Sequence, residues 1–199
     1  ELSGGDLAAF RIRIAYVPQF ELDAPGIPLT VREVVEISRA GRAGLFRNLD
    51  RADRETVDHW MDHMGLRELA ERPYSTLSGG QQRKVQLARA LSQEPDVFLL
   101  DEPASNLDMA WQERLISLID HIGTETDIAM LIVTHDLSLL PPSCDRVMVI
   151  SGGGLRAAGP PHEVISSGVL EDLYGLPVDV RNHGSRYHVL PGQGGKGNA

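Results

Sequence analysis

Two short, wholly apolar segments constrain the fold of this chain most strongly. Val97–Leu100 and Ala129–Val133 contain only apolar residues, which is typical of parallel strands covered on both faces. Asp101 and Glu102 follow the first segment at once, and His135 follows the second after one residue. Because ligands bind beyond the carboxyl ends of parallel strands in open α/β sheets, these three polar residues are candidate site residues.

Shorter signals predict the other strands. Ile12–Val17 and Val147–Ile150 are rich in aliphatic residues, and the turn at 151–154 leads into a strand near Leu155–Ala157, as in a β-hairpin. Amphipathic helical patterns alternate with these strands, which indicates an α/β layered fold.

Three helices are predicted from apolar residues at helical spacing. The first begins at Thr30–Glu33, which has the pattern of a capping box. The second is capped by Asp50 or Asp53. The third begins near Trp111, and Gly123 is expected to close it.

The strongest local signal is Leu77–Gln82, which reads Leu-Ser-Gly-Gly-Gln-Gln before a helical pattern over Arg83–Leu91. Ser78 is a good helix N-cap, and Gly79 and Gly80 let a ligand approach the backbone closely. The free amides and the helix dipole favour an anion such as phosphate at this end. A plain turn has the same short pattern, so the motif alone leaves both interpretations open.

The polar residues at the strand ends suit particular chemical tasks. Asp101 can hold a magnesium ion through its waters, and Glu102 can orient or deprotonate an attacking water. His135 can donate a hydrogen bond to a phosphate oxygen. Solvated carboxylates and a loop histidine are the alternatives. The other six histidines, among them His59 and His63, are predicted to be surface residues without ligand spacing.

Taken in order, five segments resemble the ATPase subunit of ABC transporters. They are Gln19 at the Q-loop, Leu77–Gln82 as the signature, Val97–Glu102 as Walker B, Ser105–Asp108 as the D-loop and His135 as the H-loop. Each motif is common, but the ordered set is specific to this family.

The resemblance implies an α/β fold of the P-loop NTPase (RecA-like) type, with a parallel sheet core and a helical subdomain at about residues 20–90. Residues 1–190 are expected to form one ABC ATPase domain that is incomplete at its N-terminus, and the glycine-rich residues 191–199 a disordered tail. Residues 75–91 and 174–191 look most like the ATPases of iron-chelate, haem and vitamin B12 importers.

The resemblance also implies a head-to-tail dimer of two ATPase subunits around ATP and Mg²⁺. Four residues of one subunit, Ser78, Gly79, Gly80 and Gln81, would contact the nucleotide held by the other. Asp108 would couple the two halves.

The implied catalytic residues are Gln19, Glu102 and His135. Gln19 would contact the magnesium ion or the attacking water, and Asp101 would hold the magnesium ion through water. Glu102 would be the general base, and His135 would stabilise the γ-phosphate.

The helical subdomain would dock a transmembrane permease, either a separate chain or one fused outside these residues, with the protein in the cytoplasm on the inner face of the cell membrane. No apolar run in the chain approaches the roughly 18 residues that span a bilayer. The net charge of −9 argues against a nucleic-acid partner. Cys144 is the single cysteine, which excludes a disulfide within the chain.

Two other functions stay open. The chain could be a non-catalytic remnant or interaction module that binds a permease or a sister ATPase, although intact Asp101, Glu102 and His135 argue against degeneration. It could also be a soluble ABC protein of cluster assembly or translation. The short interval between Gln19 and Leu77 leaves no room for the long coiled coil of the related DNA-repair ATPases.

The phosphate-cradling loop of the family, G-x-x-x-x-G-K-[ST], does not occur in the 199 residues. The one Gly-Lys pair, Gly195-Lys196, is followed by Gly197, and Leu190 stands where the first glycine would be. The loop would contribute several hydrogen bonds to charged phosphates, each worth about 1.5–3 kcal/mol.

We therefore predict that these 199 residues alone bind Mg-ATP weakly and hydrolyse little of it, because losing several such bonds lowers affinity by orders of magnitude. Isothermal titration calorimetry with Mg-ATP measures this directly. A micromolar dissociation constant would contradict the prediction.

Overall fold

The computed structural model of the protein describes residues 13–19, 28–43, 48–183 and 186–192. The chain falls into two compact units. The first is drawn from residues 1–112 and 127–134, and the second from residues 113–126 and 135–199.

The sheet of the first unit has three parallel strands, β1 (Ile14–Val17), β2 (Val97–Asp101) and β3 (Ala129–Val133). β2 lies in the middle and pairs with both neighbours, so the two apolar segments are adjacent parallel strands, as predicted. The predicted strand began at residue 12, which lies outside the described ranges.

The expectation that both faces of β3 are covered is wrong. Leu131 and Val133 are 49% and 53% exposed, and the strand alternates between exposed and half-buried residues. Among the described residues β3 is an edge strand, whereas β2 has a strand on each side and buries Phe98 and Leu100 fully. An apolar run therefore predicted the strand but not its covering.

Three helices belong to this unit: α1 (Val31–Ala43), α2 (Arg51–His63) and α3 (Gly79–Ser92). A fourth, α4 (Met109–Glu125), begins in the first unit and continues in the second. The first three contact one another pairwise, and α3 also contacts β1. α3 therefore connects the helical layer to the sheet.

The caps predicted for α1 and α2 are both present. The Thr30 backbone N–H donates to Glu33 Oε2 at 2.7 Å, and the Glu33 backbone N–H donates to Thr30 Oγ1 at 3.2 Å. The backbone hydrogen bond from Thr30, with help from its hydroxyl, holds the pKa of Glu33 below its usual value. Asp50 is the cap of α2, with Asp53 as its reciprocal partner.

The three helices are tied together by the buried guanidinium of Arg39. It donates to Asp53 of α2 at 2.7 Å and to Glu94, just beyond α3, at 2.7 Å. It also donates to the carbonyl of Ser92 at 3.2 Å. Because a buried charge is tolerated only when it is paired, this residue fixes how the ends of the helices meet.

Gly123 does not close α4, contrary to the prediction. The helix continues to Glu125, and the backbone N–H of Thr126 still donates to the Ile122 carbonyl at 3.1 Å. The Thr126 hydroxyl bonds the same carbonyl at 2.7 Å. The helical hydrogen bonding therefore passes through the glycine.

The second unit contains two antiparallel hairpins. The predicted one joins β4 (Val147–Ser151) to β5 (Gly154–Gly159), and an unpredicted one joins β6 (Val178–His183) to β7 (Arg186–Pro191). Two short helices, α5 (Pro161–Val164) and α6 (Ser167–Tyr174), lie between them in the chain. The core of the unit is formed by Val147, Val164, Ile165, Leu170 and Val178.

The end of the described chain is held to this unit. The Gly192 backbone N–H donates to the Pro177 carbonyl at 2.8 Å. The remainder of the predicted tail, 193–199, lies outside the described residues. Across the described ranges no helix is both long and apolar enough to cross a membrane.

Replacing Asp50 by alanine removes the side chain that accepts from the Asp53 backbone N–H at 3.0 Å. Loss of an N-cap costs about 0.5–2 kcal/mol, so we expect the free energy of unfolding to fall by that amount in urea titrations. Asn48→Ala, in the exposed residues before the cap, is the control and is expected to change it by less than about 0.5 kcal/mol. Equal stability of the two variants would contradict the capping role.

Candidate functional site

The N-terminus of α3 is held by a third capping box. Ser78 Oγ accepts from the Gln81 backbone N–H at 3.3 Å, and Gln81 Oε1 accepts from the Ser78 backbone N–H at 3.0 Å. The Ser78 and Gln81 side chains thus hold the helix end in place. Gly79 and Gly80 are the first two residues of the helix, where backbone N–H groups have no partner within the helix. Main-chain amides are therefore the groups that an anion would meet at this end, and that binding role stays a prediction.

Gly80 is required by a close approach. A Cβ atom at this position would lie 2.9 Å from the backbone oxygen of Asn106, closer than real Cβ contacts come. Asn106 itself adopts a left-handed backbone with φ of 62°, which asparagine tolerates better than most residues. The predicted D-loop and the predicted signature are therefore in direct backbone contact.

The carboxylate pair lies where the middle strand ends. Asp101 is the last residue of β2, and its Oδ2 accepts from the Tyr16 hydroxyl at 3.4 Å. Glu102 has a φ of 47°, and its backbone N–H donates to the Val133 carbonyl at 2.9 Å. A left-handed conformation costs a non-glycine residue on the order of 1–3 kcal/mol. The chain turns sharply here, and the bond to β3 holds the turn.

Arg83 is the residue that sequence reasoning missed. Its side chain is buried on the first turns of α3, and its guanidinium donates to the carbonyls of Asp101 at 2.6 Å, Glu102 at 2.7 Å and Pro103 at 3.1 Å. It also donates to the carbonyl of Pro18. One side chain therefore binds the signature helix both to the backbone before Gln19 and to the turn at residues 101–103.

A signal for this role is present in the sequence. Arg83 occupies the same helical stripe as Leu87 and Ala90, both of which are buried. A charged residue on an apolar stripe must find several hydrogen-bond partners. Main-chain carbonyls at a strand end meet that need.

Gln19 follows directly after Pro18 and is exposed. Arg83 donates to the Pro18 carbonyl and also to the carbonyls of Asp101 and Glu102. The backbone next to Gln19 is therefore held near the turn that carries the two carboxylates. The structure therefore brings the Q-loop, the signature and the Walker B segment together in one unit.

Asp108 caps α4. Its Oδ1 accepts from the Trp111 backbone N–H at 3.0 Å, and its carbonyl accepts from the Gln112 backbone N–H at 2.9 Å. The ammonium of Lys84 lies 3.5 Å from the Trp111 ring centroid, a distance typical of cation–π contacts. These contacts join the start of α4 to α3, and a coupling role for Asp108 stays a prediction.

His135 belongs to the second unit, unlike the other candidate residues. It is exposed and precedes a short 3-10 turn whose cap is Asp136, which accepts from the Ser138 backbone N–H at 3.0 Å. Within its unit it lines a cavity of about 470 Å³ together with Tyr174 and His188. Its convergence with the residues of the first unit stays a prediction.

The candidate ligand residues of the first unit have the oxygen atoms that Mg²⁺ prefers. Asp101 and Gln19 offer oxygen ligands only, and Mg²⁺ is bound in proteins by one or two carboxylates together with waters and substrate phosphates. In the described part of the chain, no three His, Cys, Asp or Glu side chains are grouped closely enough to form a metal site. A magnesium ion here would therefore depend on phosphate oxygens and water for its other ligands.

A parallel sheet with carboxylates at the end of its middle strand is an arrangement of α/β nucleotide-binding folds, and solved ABC ATPase cassettes share this fold, which is of the P-loop NTPase type. The sequence model of the ABC transporter family matches residues 1–105. The chain belongs to the ABC transporter family.

Curated relatives agree with this assignment. Over 174 residues the chain is 38% identical to the hemin import ATP-binding protein HmuV of Streptomyces coelicolor, which covers 86% of this chain and 60% of that protein. Over 187 residues it is 35% identical to the zinc import ATP-binding protein ZnuC of Alkalilimnicola ehrlichii, with 92% and 66% covered. The chain thus spans about three fifths to two thirds of the length of these relatives.

Solved structures share the fold. An ABC transporter described as of the metal-chelate type, in an inward-facing conformation, superposes with a TM-score of 0.77 at 25% identity, covering 92% of this chain and 73% of that one. The ATP-binding cassette MJ0796, a dimer in a post-hydrolysis state with ADP and phosphate, gives a TM-score of 0.68 at 26% identity, with 80% and 68% covered.

Replacing Arg83 by methionine would remove the side-chain donor to four backbone carbonyls, of which that of Glu102 would keep its bond from the Ser105 backbone N–H at 3.1 Å. We expect a marked fall in the free energy of unfolding, because each buried acceptor left unsatisfied costs about 1–3 kcal/mol. Arg83→Lys keeps the charge but lacks the planar fork, so we expect a smaller loss. Urea titrations measure both.

The control is Arg72→Met, because the Arg72 side chain is exposed. Its free energy of unfolding is expected to change by less than about 0.5 kcal/mol. A loss at Arg83 no larger than that at Arg72 would show that the network does not support the fold.

Proposed function

We propose that this protein is the ATP-binding and hydrolysing subunit of an ABC importer, coupling ATP hydrolysis to uptake of a metal chelate or related cofactor. The observation that carries the proposal is the Arg83 network, which holds the carboxylate turn, the Q-loop backbone and the signature helix as one assembly. Relatives that are named for hemin and zinc import support the cargo class.

Two copies of the subunit would enclose ATP head to tail. The signature end of α3 supports this, because Ser78 and Gly79 are exposed while their cap is complete within one chain. A surface that binds anions through main-chain amides is available to a nucleotide held by a second copy. The similar cassette MJ0796 is a dimer with ADP and phosphate.

Phosphoryl transfer depends mostly on positioning and on neutralising charge. Mg²⁺ would neutralise charge on the phosphates, with Asp101 as its carboxylate ligand through water and Gln19 at the magnesium ion or the attacking water. Glu102 would accept the proton of that water. The backbone of Glu102 is held by its bond to the Val133 carbonyl and by Arg83, so the side chain starts from a fixed backbone position. His135 would donate a hydrogen bond to the γ-phosphate.

A permease and a membrane location complete the proposal. The helical subdomain would dock a separate transmembrane subunit, with the ATPase in the cytoplasm on the inner membrane face. The support for a transport partner is the names of the relatives, which are import ATP-binding proteins.

Activity is proposed for a form that also has a phosphate-binding loop, which the 199 residues do not contain. The same observation favours a second candidate, a non-catalytic module that binds a permease or a sister ATPase. Retention of Asp101 and Glu102 at the end of β2 supports the catalytic form.

The test uses the full reading frame that contains these 199 residues, purified alone or with its permease. Glu102→Gln is expected to lower kcat about 10²–10⁴-fold, the usual contribution of a general base, and to trap a nucleotide-bound dimer on size exclusion. Glu71→Gln, an exposed carboxylate between helices, is the control and should leave kcat unchanged.

Unchanged turnover in Glu102→Gln would remove Glu102 from the role of general base. ATP turnover that is absent from the unsubstituted protein, with permease binding retained, would favour the non-catalytic candidate instead.

A further inference from the structure

The exposed face of α2 carries a histidine pair that the sequence interpretation treats as lacking ligand spacing. His59 and His63 are four residues apart, which places them one above the other on a helix. Their ring centroids are 4.3 Å apart with planes tilted by 45°. Both side chains are exposed, so the rings lie side by side in solvent. The prediction that both are surface residues is confirmed, and their contact with each other was not predicted.

A backbone bond selects which nitrogen of His63 is available. Its Nδ1 lies 3.2 Å from the His59 carbonyl oxygen, so Nδ1–H donates and the lone pair is left on Nε2. Metal-binding histidines commonly use their second ring nitrogen in this way, because the bond fixes the tautomer and the ring orientation.

We propose that His59 and His63 together bind a divalent first-row transition metal ion, through two imidazole nitrogens with water completing the coordination. Imidazole suits zinc, copper and nickel, and affinity generally rises to Cu²⁺ and falls again at Zn²⁺. Two histidines four apart on one helix face are the arrangement by which helical zinc motifs hold their ion. The inference depends on α2 alone and is independent of the proposed ATPase activity.

The carboxylates around the pair have other partners. Asp62 is paired with Arg67, and Glu55 accepts from Arg51 at 2.7 Å. These groups contribute negative charge rather than direct bonds, so the protein supplies two ligands.

Trp60 provides a built-in reporter. Its ring lies 4.9 Å from the His59 ring in an edge contact and 5.6 Å from the His63 ring. Cu²⁺ at the pair would therefore quench the fluorescence of Trp60. Trp111 is the other tryptophan of the chain and lies against Lys84.

The experiment titrates the 199-residue chain with Zn²⁺ by calorimetry, and with Cu²⁺ by calorimetry and tryptophan fluorescence, in a buffer that does not chelate metals. We expect one ion per chain and partial quenching. His59→Gln and His63→Gln should each weaken binding at least about tenfold, because even loss of an outer-sphere partner costs 10–100-fold. His121→Gln, an exposed histidine on α4, is the control and should bind like the unsubstituted chain.

A second pair of variants tests whether metal binding depends on the spacing of two histidines or only on their number. In the His63→Gln background, Glu55→His restores two histidines four residues apart and should recover binding. Arg54→His in that background places them five apart on different faces and should not.

Undiminished binding in His63→Gln would overturn the proposal, because the ion would then be held elsewhere. Equal recovery by Glu55→His and Arg54→His would also overturn it. All of these positions are exposed, and none belongs to the proposed ATP site, so the result stands apart from the Glu102 experiment.

Discussion

The guanidinium of Arg83 is the interaction on which the site of the first unit depends. Arginine has five donors in a rigid fork and cannot give up its charge, so its burial requires several acceptors at fixed places. The carbonyls of Pro18 and of residues 101–103 supply them. Because these carbonyls belong to two separate loops, satisfying one buried charge also orders the backbone next to Gln19 and the turn that carries Glu102.

Backbone strain is concentrated at the same place. Of the three non-glycine residues with positive φ among the described residues, Glu102 and Asn106 flank one short loop, and the third is Glu94. Glu94 is bound by the buried Arg39. Strained backbone persists only where its surroundings determine it, and here the carbonyl of Glu102 is bound by Arg83 while Asn106 lies against Gly80. The two buried arginines therefore stabilise unfavourable turns as well as joining helices.

Features governed by local chemistry were predictable from the sequence: the caps at Thr30, Asp50 and Ser78, the parallel pairing of two apolar strands, and the hairpin at 151–154. Features that depend on distant partners were not. The carbonyls that bind Arg83 lie 18 to 65 residues away in the chain. The β6–β7 hairpin has no apolar run to mark it, because its strands are mostly exposed or half-buried.

The geometry of the α3 end also bears on how a dimer of the proposed kind would work. The side chains of Ser78 and Gln81 are engaged in their own cap, so a phosphate would meet mainly amides and the helix dipole, which contributes only about 0.3–1 kcal/mol at an exposed site. Such an end is too weak to hold a nucleotide by itself. It suits closure upon a nucleotide that another chain already binds, where small favourable contacts add to an interface rather than create it. In a dimer of the proposed kind, weak binding at the signature and dependence on a second copy would both follow from this capping box.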